Sequence, residues 1–208
     1  RSFFSTMHEG GHGLHELGME RWAPLKALRQ AASYSVHESQ SRFWECQIGR
    51  SREFFEYALG EFQGPGLIEE SIDPQVAWAH VNQIRYSPTR VEADEVTYNL
   101  HILLRTELEI LLFNGDLRVE DLPAAWNQKT REYLGFDVQD AAVGVLQDIH
   151  WAVGLYGYFP TYTVGNLIAA QLRQAMACEV DVAACLRDGD VRPLNGWLGE
   201  KIHRHGAA

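Results

Sequence analysis

The sequence predicts a mainly helical protein, on three observations. Apolar residues recur at helical spacing in most segments, and polar breaks such as Asn114-Gly115-Asp116 separate these segments. Proline occurs where the first turn of a helix accepts it, as in Asp73-Pro74 and Leu122-Pro123. The chain of 208 residues is 46% hydrophobic and 22% charged, which is typical of a globular protein with a sizeable core. One exception is expected, a short β-strand or hairpin near residues 85–93, because Ser87-Pro88 marks a turn.

The predicted helices follow one another with short breaks and no long linker. Their expected bounds are 2–18, 33–59, 73–84, 94–113, 122–134, 138–148, 164–178 and 192–203. The first helix contains Gly10, Gly11 and Gly13, and each glycine costs roughly 1 kcal/mol relative to alanine. Three glycines so close together indicate tight backbone packing or a tight site.

Charge and composition exclude several classes of function. The formal net charge of -10 argues against a nucleic-acid partner, which is usually bound by a basic surface. No run of 18 or more apolar residues occurs, so no membrane span is expected. The first residues lack the apolar stretch of a signal peptide, and Cys46, Cys178 and Cys185 form no CxxC pair. We therefore expect reduced thiols and a cytoplasmic location.

A metal-binding motif lies near the start of the chain, where residues 8–12 read His-Glu-Gly-Gly-His. On a helix, His8 and His12 share one face, so both imidazoles can bind the same ion. Glu9 can then accept a proton from a metal-activated water. The pattern predicts a catalytic metal site with Glu9 as the base, and the alternative is a polar helix face without such a role.

A catalytic zinc site needs a third protein ligand and an open position. A histidine six residues after His12 would indicate a metzincin, but Gly18 occupies that position. Glu16 shares the helix, yet three ligands from one helix give poor tetrahedral geometry. Glu38, which is 26 residues after His12 on the next predicted helix, is the better candidate. The neighbouring His37 is expected to point away from the ion.

Four blocks of the sequence resemble the carboxypeptidase Taq family of metallocarboxypeptidases. Two of them are the motif at residues 8–12 and the stretch His37-Glu-Ser-Gln-Ser-Arg42. The block at residues 89–95 is similar to the family's IRxxAD motif, with Thr89 in place of isoleucine, and Gly144–Trp151 matches its GxxQDxHW motif. The blocks occur in the family's order, so the resemblance covers essentially the whole chain.

This resemblance implies a zincin-like helical metallopeptidase lobe with one divalent metal per chain, zinc or alternatively cobalt, bound by His8, His12 and Glu38. It implies a carboxypeptidase that releases C-terminal amino acids from peptides by attack of a metal-activated water. Broad specificity with proline disfavoured, and a homodimer of the complete protein, are also implied. The family's upstream HPF and DxRxT motifs are absent, so we expect residues 1–208 to be the catalytic portion of a longer chain without its N-terminal part.

The resemblance also implies groups that stabilise the oxyanion of the reaction. Related helical zinc peptidases use a histidine and a tyrosine in a similar C-terminal stretch, and His150 and Tyr162 match them here. Tyr156 and Tyr158 remain alternatives to Tyr162.

A carboxypeptidase also needs a cation for the terminal carboxylate of its substrate. A guanidinium binds a carboxylate through two hydrogen bonds, and Arg90 lies in the irregular segment of the third block. Arg42 and Arg85 are weaker candidates. A structural ion pair of Arg90 with Glu92 or Asp94 is the alternative.

Two other functions remain open on the sequence. The chain could be an endopeptidase or dipeptidyl peptidase of the same His-His-Glu class, although a carboxylate ligand such as Arg90 favours exopeptidase action. It could also be a truncated fragment that binds metal without catalysis.

Overall fold

The computed structural model describes residues 2–65 and 72–208, and within them all regular structure is helical. The α-helices of this part of the chain are α1 Ser2–Trp22, α2 Tyr34–Arg42, α3 Arg52–Gln63, α4 Pro74–Val81, α5 Tyr98–Asn114, α6 Leu122–Leu134, α7 Pro160–Ala177, α8 Val182–Arg187 and α9 Arg192–Lys201. Within the described ranges, no helix has the length and apolar character needed to span a membrane.

No strand or hairpin is found near residues 85–93, where Arg90–Glu92 form a short 3-10 helix instead. Backbone N–H groups that would donate to a partner strand in a hairpin donate here to side-chain oxygens. Ser87 Oγ accepts from the N–H of Thr89 at 3.1 Å, and Asp94 Oδ2 accepts from the N–H of Arg85 at 3.1 Å. These local bonds stabilise a turn and leave no ladder to form.

Two predicted helices differ from the structure. The helix expected over 33–59 continues from α2 into a π-helical segment, Phe43–Ile48, and ends before α3. Ser51 separates the two helices, because its Oγ caps α3 by accepting from the N–H of Phe54 at 3.3 Å. The helix expected over 138–148 is wrong, since only Ala141–Val143 form a 3-10 turn there.

The chain divides into two compact units, and the first comprises Arg1–Val81 and Val164–Ala208. Its core is a cluster of buried apolar side chains from the π-helical segment and helices α7 to α9, namely Phe43, Trp44, Ile48, Ala169, Met176, Val182, Leu186, Leu194, Trp197 and Leu198. Because this cluster spans both sequence segments of the unit, the C-terminal helices are part of the scaffold that holds α1 and α2.

The second unit, Asn82–Thr163, is built on α5 and α6. One cluster contains Leu104, Leu108, Trp126 and Leu134, and a second contains Tyr98, Ile102 and Phe159. Both clusters use α5, so this helix organises the unit.

Helices α1 and α2 approach each other closely at Gly11. A Cβ added to Gly11 would lie 2.6 Å from the Cα of Ser41 and 2.7 Å from the carbonyl oxygen of Gln40. Backbone atoms cannot move aside as a flexible side chain can, so this position requires glycine. Gly10, one residue earlier, has nothing within 4 Å of the same added atom.

We predict that Gly11→Ala lowers the free energy of unfolding by about 1–3 kcal/mol, because it overpacks two backbones. Gly10→Ala is the matched control, and helix propensity should make it more stable by up to about 1 kcal/mol. Urea denaturation of the metal-free variants measures both values. Equal stability of the two variants would contradict the close approach.

Candidate metal centre

The three predicted metal ligands lie together in the first unit. His8 and His12 project from one face of α1, and Glu38 projects from α2. His8 Nε2 is 3.8 Å from Glu38 Oε1, and His12 Nε2 is 3.6 Å from Glu38 Oε2. Among the described residues, these three form the one group of metal-ligating side chains whose ligand atoms all lie within 4.8 Å of one another.

This donor set fits a tetrahedral metal ion with an open fourth position. Ligand atoms about 2.1 Å from such an ion lie about 3.4 Å from one another. The separations of Glu38 from the two imidazoles, 3.6 and 3.8 Å, are close to that value. Two imidazoles and one glutamate are a donor set of known catalytic zinc sites, and they also suit other first-row ions.

The position of Glu38 is also set by helix α7. Glu38 is 5% exposed, and Gly165 lies against its side chain. A Cβ added to Gly165 would come within 3.0 Å of Glu38 Cγ and 3.1 Å of its Cβ. This packing places the carboxylate beside the two imidazoles, where a bound metal ion would add positive charge.

The ring of His8 is held from its far side by Glu45. The Nδ1–H of His8 donates to Glu45 Oε2 at 2.9 Å, and the same oxygen accepts from Arg42 Nη1 at 2.8 Å. Burial alone would lower the pKa of His8, but the hydrogen bond to Glu45 and the charge of Glu38 raise it above its usual value.

The second predicted ligand, His12, stacks on His37. Their ring centroids are 4.3 Å apart with an interplanar angle of 19°. His37 Nε2 lies 2.8 Å from Glu16 Oε1, so Glu16 is bonded to His37 and is not part of the ligand group. Burial, followed by the neighbouring His37 and His8, lowers the pKa of His12 to about 4. His12 is therefore neutral at pH 7, which is the form that binds metals.

Two more histidines, His15 and His203, are buried behind the ligands, each 1% exposed. Their ring centroids are 5.1 Å apart, and His203 Nε2 lies 3.1 Å from Gln40 Oε1. Burial is the main cause that lowers the pKa of His15 to about 3 and of His203 to about 4. Both are neutral at pH 7 and pack α1 against the C-terminal segment.

The predicted base, Glu9, lies on α1 directly after His8 and is exposed. It is therefore accessible to water, one residue after His8 on the same helix.

The remaining predicted site residues lie in the second unit, where His150 and Tyr162 are hydrogen-bonded. His150 Nε2 is 2.9 Å from the hydroxyl of Tyr162. Tyr158 packs on both, with ring centroids 5.5 Å from His150 and 5.4 Å from Tyr162. Tyr156 is 54% exposed and packs on Phe113 instead. Burial, then the charge of a nearby arginine, lowers the pKa of His150, so its ring is neutral at pH 7.

Arg90 is buried and bonded to protein groups through its whole guanidinium. Its Nε and Nη2 donate to Asp148 Oδ1 at 3.0 and 2.9 Å, and its Nη1 donates to the hydroxyl of Tyr98 at 3.0 Å. Arg90 forms its ion pair with Asp148. The alternative considered from the sequence was an ion pair with Glu92 or Asp94.

Asp148 also binds a second buried arginine, Arg105, whose Nε donates to Asp148 Oδ2 at 2.7 Å. Arg105 is fully buried, and its guanidinium lies 4.6 Å from the ring centroid of Trp126. Burial would raise the pKa of Asp148, but Arg105 and Arg90 lower it overall. One carboxylate therefore holds two buried cations beside His150.

Sequence reasoning missed Glu45, Arg105 and Asn166 as parts of these sites. Glu45 lies seven residues after Glu38, and two helical turns bring such a pair to the same face. That spacing was a usable signal. Asn166 Oδ1 accepts from Arg42 Nε at 2.6 Å across 124 residues of sequence, and no local pattern predicts such a pair.

A helical scaffold that brings a His-Glu-x-x-His motif and a glutamate from the next helix together defines a metallopeptidase-type site. The sequence model of the family described as carboxypeptidase Taq (M32) metallopeptidase matches residues 1–208. The chain belongs to this family.

Similarity to individual carboxypeptidases agrees with membership of this family. It is 45% identical over 207 residues to "Thermostable carboxypeptidase 1" of Thermus thermophilus, covering 98% of this chain and 40% of that protein. It is 42% identical to "Carboxypeptidase 1" of Bacillus subtilis, covering 99% of this chain and 41% of that protein. The chain therefore spans about two fifths of the length of these relatives.

Solved structures are similar along the same stretch. A carboxypeptidase of Pyrococcus furiosus superposes with a TM-score of 0.91 at 41% identity, covering 100% of this chain and 42% of that one. Metallocarboxypeptidase 1 of Trypanosoma cruzi superposes with a TM-score of 0.90 at 34% identity, covering 98% of this chain and 43% of that one. The helical fold predicted from the sequence is thereby confirmed.

We predict that Glu38→Ala weakens zinc binding by more than about 100-fold, because losing a ligand should exceed the loss of an outer hydrogen-bond partner. Glu16→Ala is the matched control, and it should leave the affinity within a few-fold. Competition with a chromophoric chelator measures both dissociation constants. A larger loss of zinc affinity in Glu16→Ala than in Glu38→Ala would indicate that Glu16 on α1, and not Glu38, is the third ligand.

We also predict that Asp148→Asn lowers the free energy of unfolding by about 3–5 kcal/mol, because two buried guanidinium groups lose their counter-charge. Asp137→Asn, at an exposed ion pair with Arg131, should cost less than about 1 kcal/mol. Urea denaturation at pH 7 checks both values.

The effect of Asp148→Asn should depend on pH. The pKa of Asp148 is lower in the folded state than its unfolded value near 3.9. Its contribution is therefore complete above that value and is lost as the pH falls through the folded pKa. The stability difference between the two proteins should narrow below about pH 4, and a difference that stays constant down to pH 3 would contradict the assignment.

Proposed function

We propose that this chain is the catalytic portion of a metal-dependent carboxypeptidase that releases C-terminal amino acids from peptides. The observation that carries the proposal is the convergence of His8, His12 and Glu38, and Glu9 directly follows His8 in the sequence. Membership of a metallocarboxypeptidase family supports the reaction class. By family resemblance we also propose broad specificity with proline disfavoured, a cytoplasmic location and a homodimer of the complete protein.

The metal would be held by His8 Nε2, His12 Nε2 and the carboxylate of Glu38, with zinc preferred and cobalt as the alternative. When bound there, a divalent ion polarises the substrate carbonyl and lowers the pKa of a water molecule. Glu9 accepts the proton of the attacking water and returns it to the leaving amine. Its exposed position on α1 leaves the carboxylate accessible for both transfers.

For the oxyanion we propose His150 and Tyr162. The His150 ring is neutral at pH 7, so one nitrogen carries the proton. If that nitrogen is Nε2, it donates to the Tyr162 oxygen, and the hydroxyl hydrogen of Tyr162 can point at a developing oxyanion. The buried Nδ1 of His150 makes no hydrogen bond, which is less costly for a lone pair than for an N–H.

For Arg90 the contacts support a positioning role over direct binding of the substrate carboxylate. Three guanidinium nitrogens already donate to Asp148 and Tyr98, and the side chain is 9% exposed. A substrate carboxylate would have to displace Asp148. We propose that Arg90 and Asp148 fix the segment that carries His150.

We predict that Glu9→Gln lowers kcat by about 100- to 10,000-fold and leaves zinc affinity unchanged, because it removes only the general base. Glu20→Gln, an exposed change on the same helix, is the control and should retain activity. Release of the C-terminal residue from a blocked dipeptide, together with metal analysis, gives both values. Full activity of Glu9→Gln would overturn the assigned base.

Peptides with a free or an amidated C-terminus distinguish a carboxypeptidase from an endopeptidase and from a non-catalytic fragment. A carboxypeptidase needs a free C-terminus, so an amidated peptide should not be cleaved. Cleavage of amidated and free peptides at similar rates would favour an endopeptidase. One bound zinc per chain without turnover of either peptide would favour the non-catalytic alternative. This alternative is tested because the chain spans only about two fifths of the length of its relatives.

A further inference from the structure

The carboxylate of Glu45 lies directly behind the metal face of α1. It is contributed by the π-helical segment Phe43–Ile48, in which the N–H of Gly49 donates to the carbonyl of Trp44 five residues earlier at 2.9 Å. Single π-helical turns are frequent at functional sites because they shift side chains out of the α-helical register. Here the segment brings Glu45 to the Nδ1 side of His8, and Glu38 lies on the Nε2 side.

We propose that Glu45 is a positioning residue for the metal centre, fixing the ring of His8 so that Nε2 faces the ion. This inference rests on the metal site of the proposed function. Its geometry is a hydrogen bond of 2.9 Å from His8 Nδ1 to Glu45 Oε2, opposite the nitrogen that faces Glu38. A carboxylate that accepts from the far nitrogen of a metal-binding imidazole fixes its tautomer and makes it a better ligand.

Glu45 is itself fixed by a second layer of contacts. Arg42 Nη1 donates to Glu45 Oε2 at 2.8 Å, and Arg42 Nε donates to Asn166 Oδ1 at 2.6 Å. Arg50 adds a second guanidinium 3.9 Å from Glu45 Oε1. The side chains of Glu45 and Arg42 are only 13% and 11% exposed, so their charges are little screened by water. A relay of fixed contacts therefore runs from α7 through Arg42 and Glu45 to His8.

The two imidazole ligands are supported unequally. No carboxylate accepts from the buried Nδ1 of His12, whereas His8 Nδ1 is bonded to the carboxylate of Glu45. Glu16, four residues after His12 on α1, bonds to His37. Affinity for metal should therefore depend on Glu45 much more than on Glu16, although both carboxylates bond to histidines of the same cluster.

A purely structural role for Glu45 would be to neutralise Arg42. In that case its loss would lower stability without altering the coordination of the metal. A positioning role changes the orientation of His8, and hence both the dissociation constant and the electronic spectrum of the bound ion. Those two readouts separate the roles.

The test compares Glu45→Ala and the isosteric Glu45→Gln with Glu16→Ala as the matched control. Zinc dissociation constants are measured by chelator competition, and the visible spectrum of the cobalt-loaded protein is recorded. We expect Glu45→Ala to bind zinc about 10- to 100-fold more weakly and to shift the cobalt bands. Glu45→Gln, whose amide oxygen still accepts from His8, should recover part of the affinity, and Glu16→Ala should match the wild type.

Wild-type affinity and an unchanged cobalt spectrum in folded Glu45→Gln and Glu45→Ala would overturn the positioning role while leaving the metal site intact. If Glu45→Ala does not fold, Glu45→Gln decides: a wild-type dissociation constant and spectrum overturn the role, and a weaker affinity with a shifted spectrum supports it. Failure of the wild-type protein to bind zinc would overturn the metal site and this inference together.

Discussion

The contact on which the site depends is the meeting of two backbones, where Gly11 of α1 lies against Gln40 and Ser41 of α2. The absence of a side chain at Gly11 lets the two helices come close enough for His12 Nε2 to lie 3.6 Å from the Glu38 carboxylate. A larger residue would push the helices apart and separate the ligands. Gly11 therefore contributes to the site by packing, in addition to the chemistry of the histidines around it.

Charge balance explains how the surrounding residues are arranged. A buried carboxylate is costly unless positive charges or hydrogen-bond donors compensate it. Glu45 has Arg42, and Asp148 in the second unit has two arginines. The groups near Glu38 include the imidazoles of His8, whose pKa is raised, and of His12, whose pKa of about 4 leaves it neutral at pH 7. A divalent cation bound by these three side chains would add positive charge beside Glu38.

Sequence reasoning predicted a group of three side chains that the structure brings together, because residues i and i+4 share a helix face and Glu38 follows on the next helix. It failed where side chains override backbone propensity. Asp94 and Ser87 accept backbone hydrogen bonds and replace the expected strand with turns. The spacing of Glu45 from Glu38 is a local signal for a shared face. The contact of Glu45 with His8, however, comes from a distant helix and a π-helical segment, and no local pattern predicts it. The assignments of His150 and Tyr162 came from family resemblance, and the structure adds their mutual hydrogen bond.

The most direct test of the central claim is X-ray absorption spectroscopy of the zinc-loaded protein. Coordination by His8, His12 and Glu38 predicts one zinc per chain, nitrogen and oxygen ligands at about 2.0–2.2 Å, and outer scattering from two imidazoles. Sulfur at about 2.3 Å would place the ion on a cysteine, and scattering from three or four imidazoles would place it among the other histidines. Either result would contradict the account.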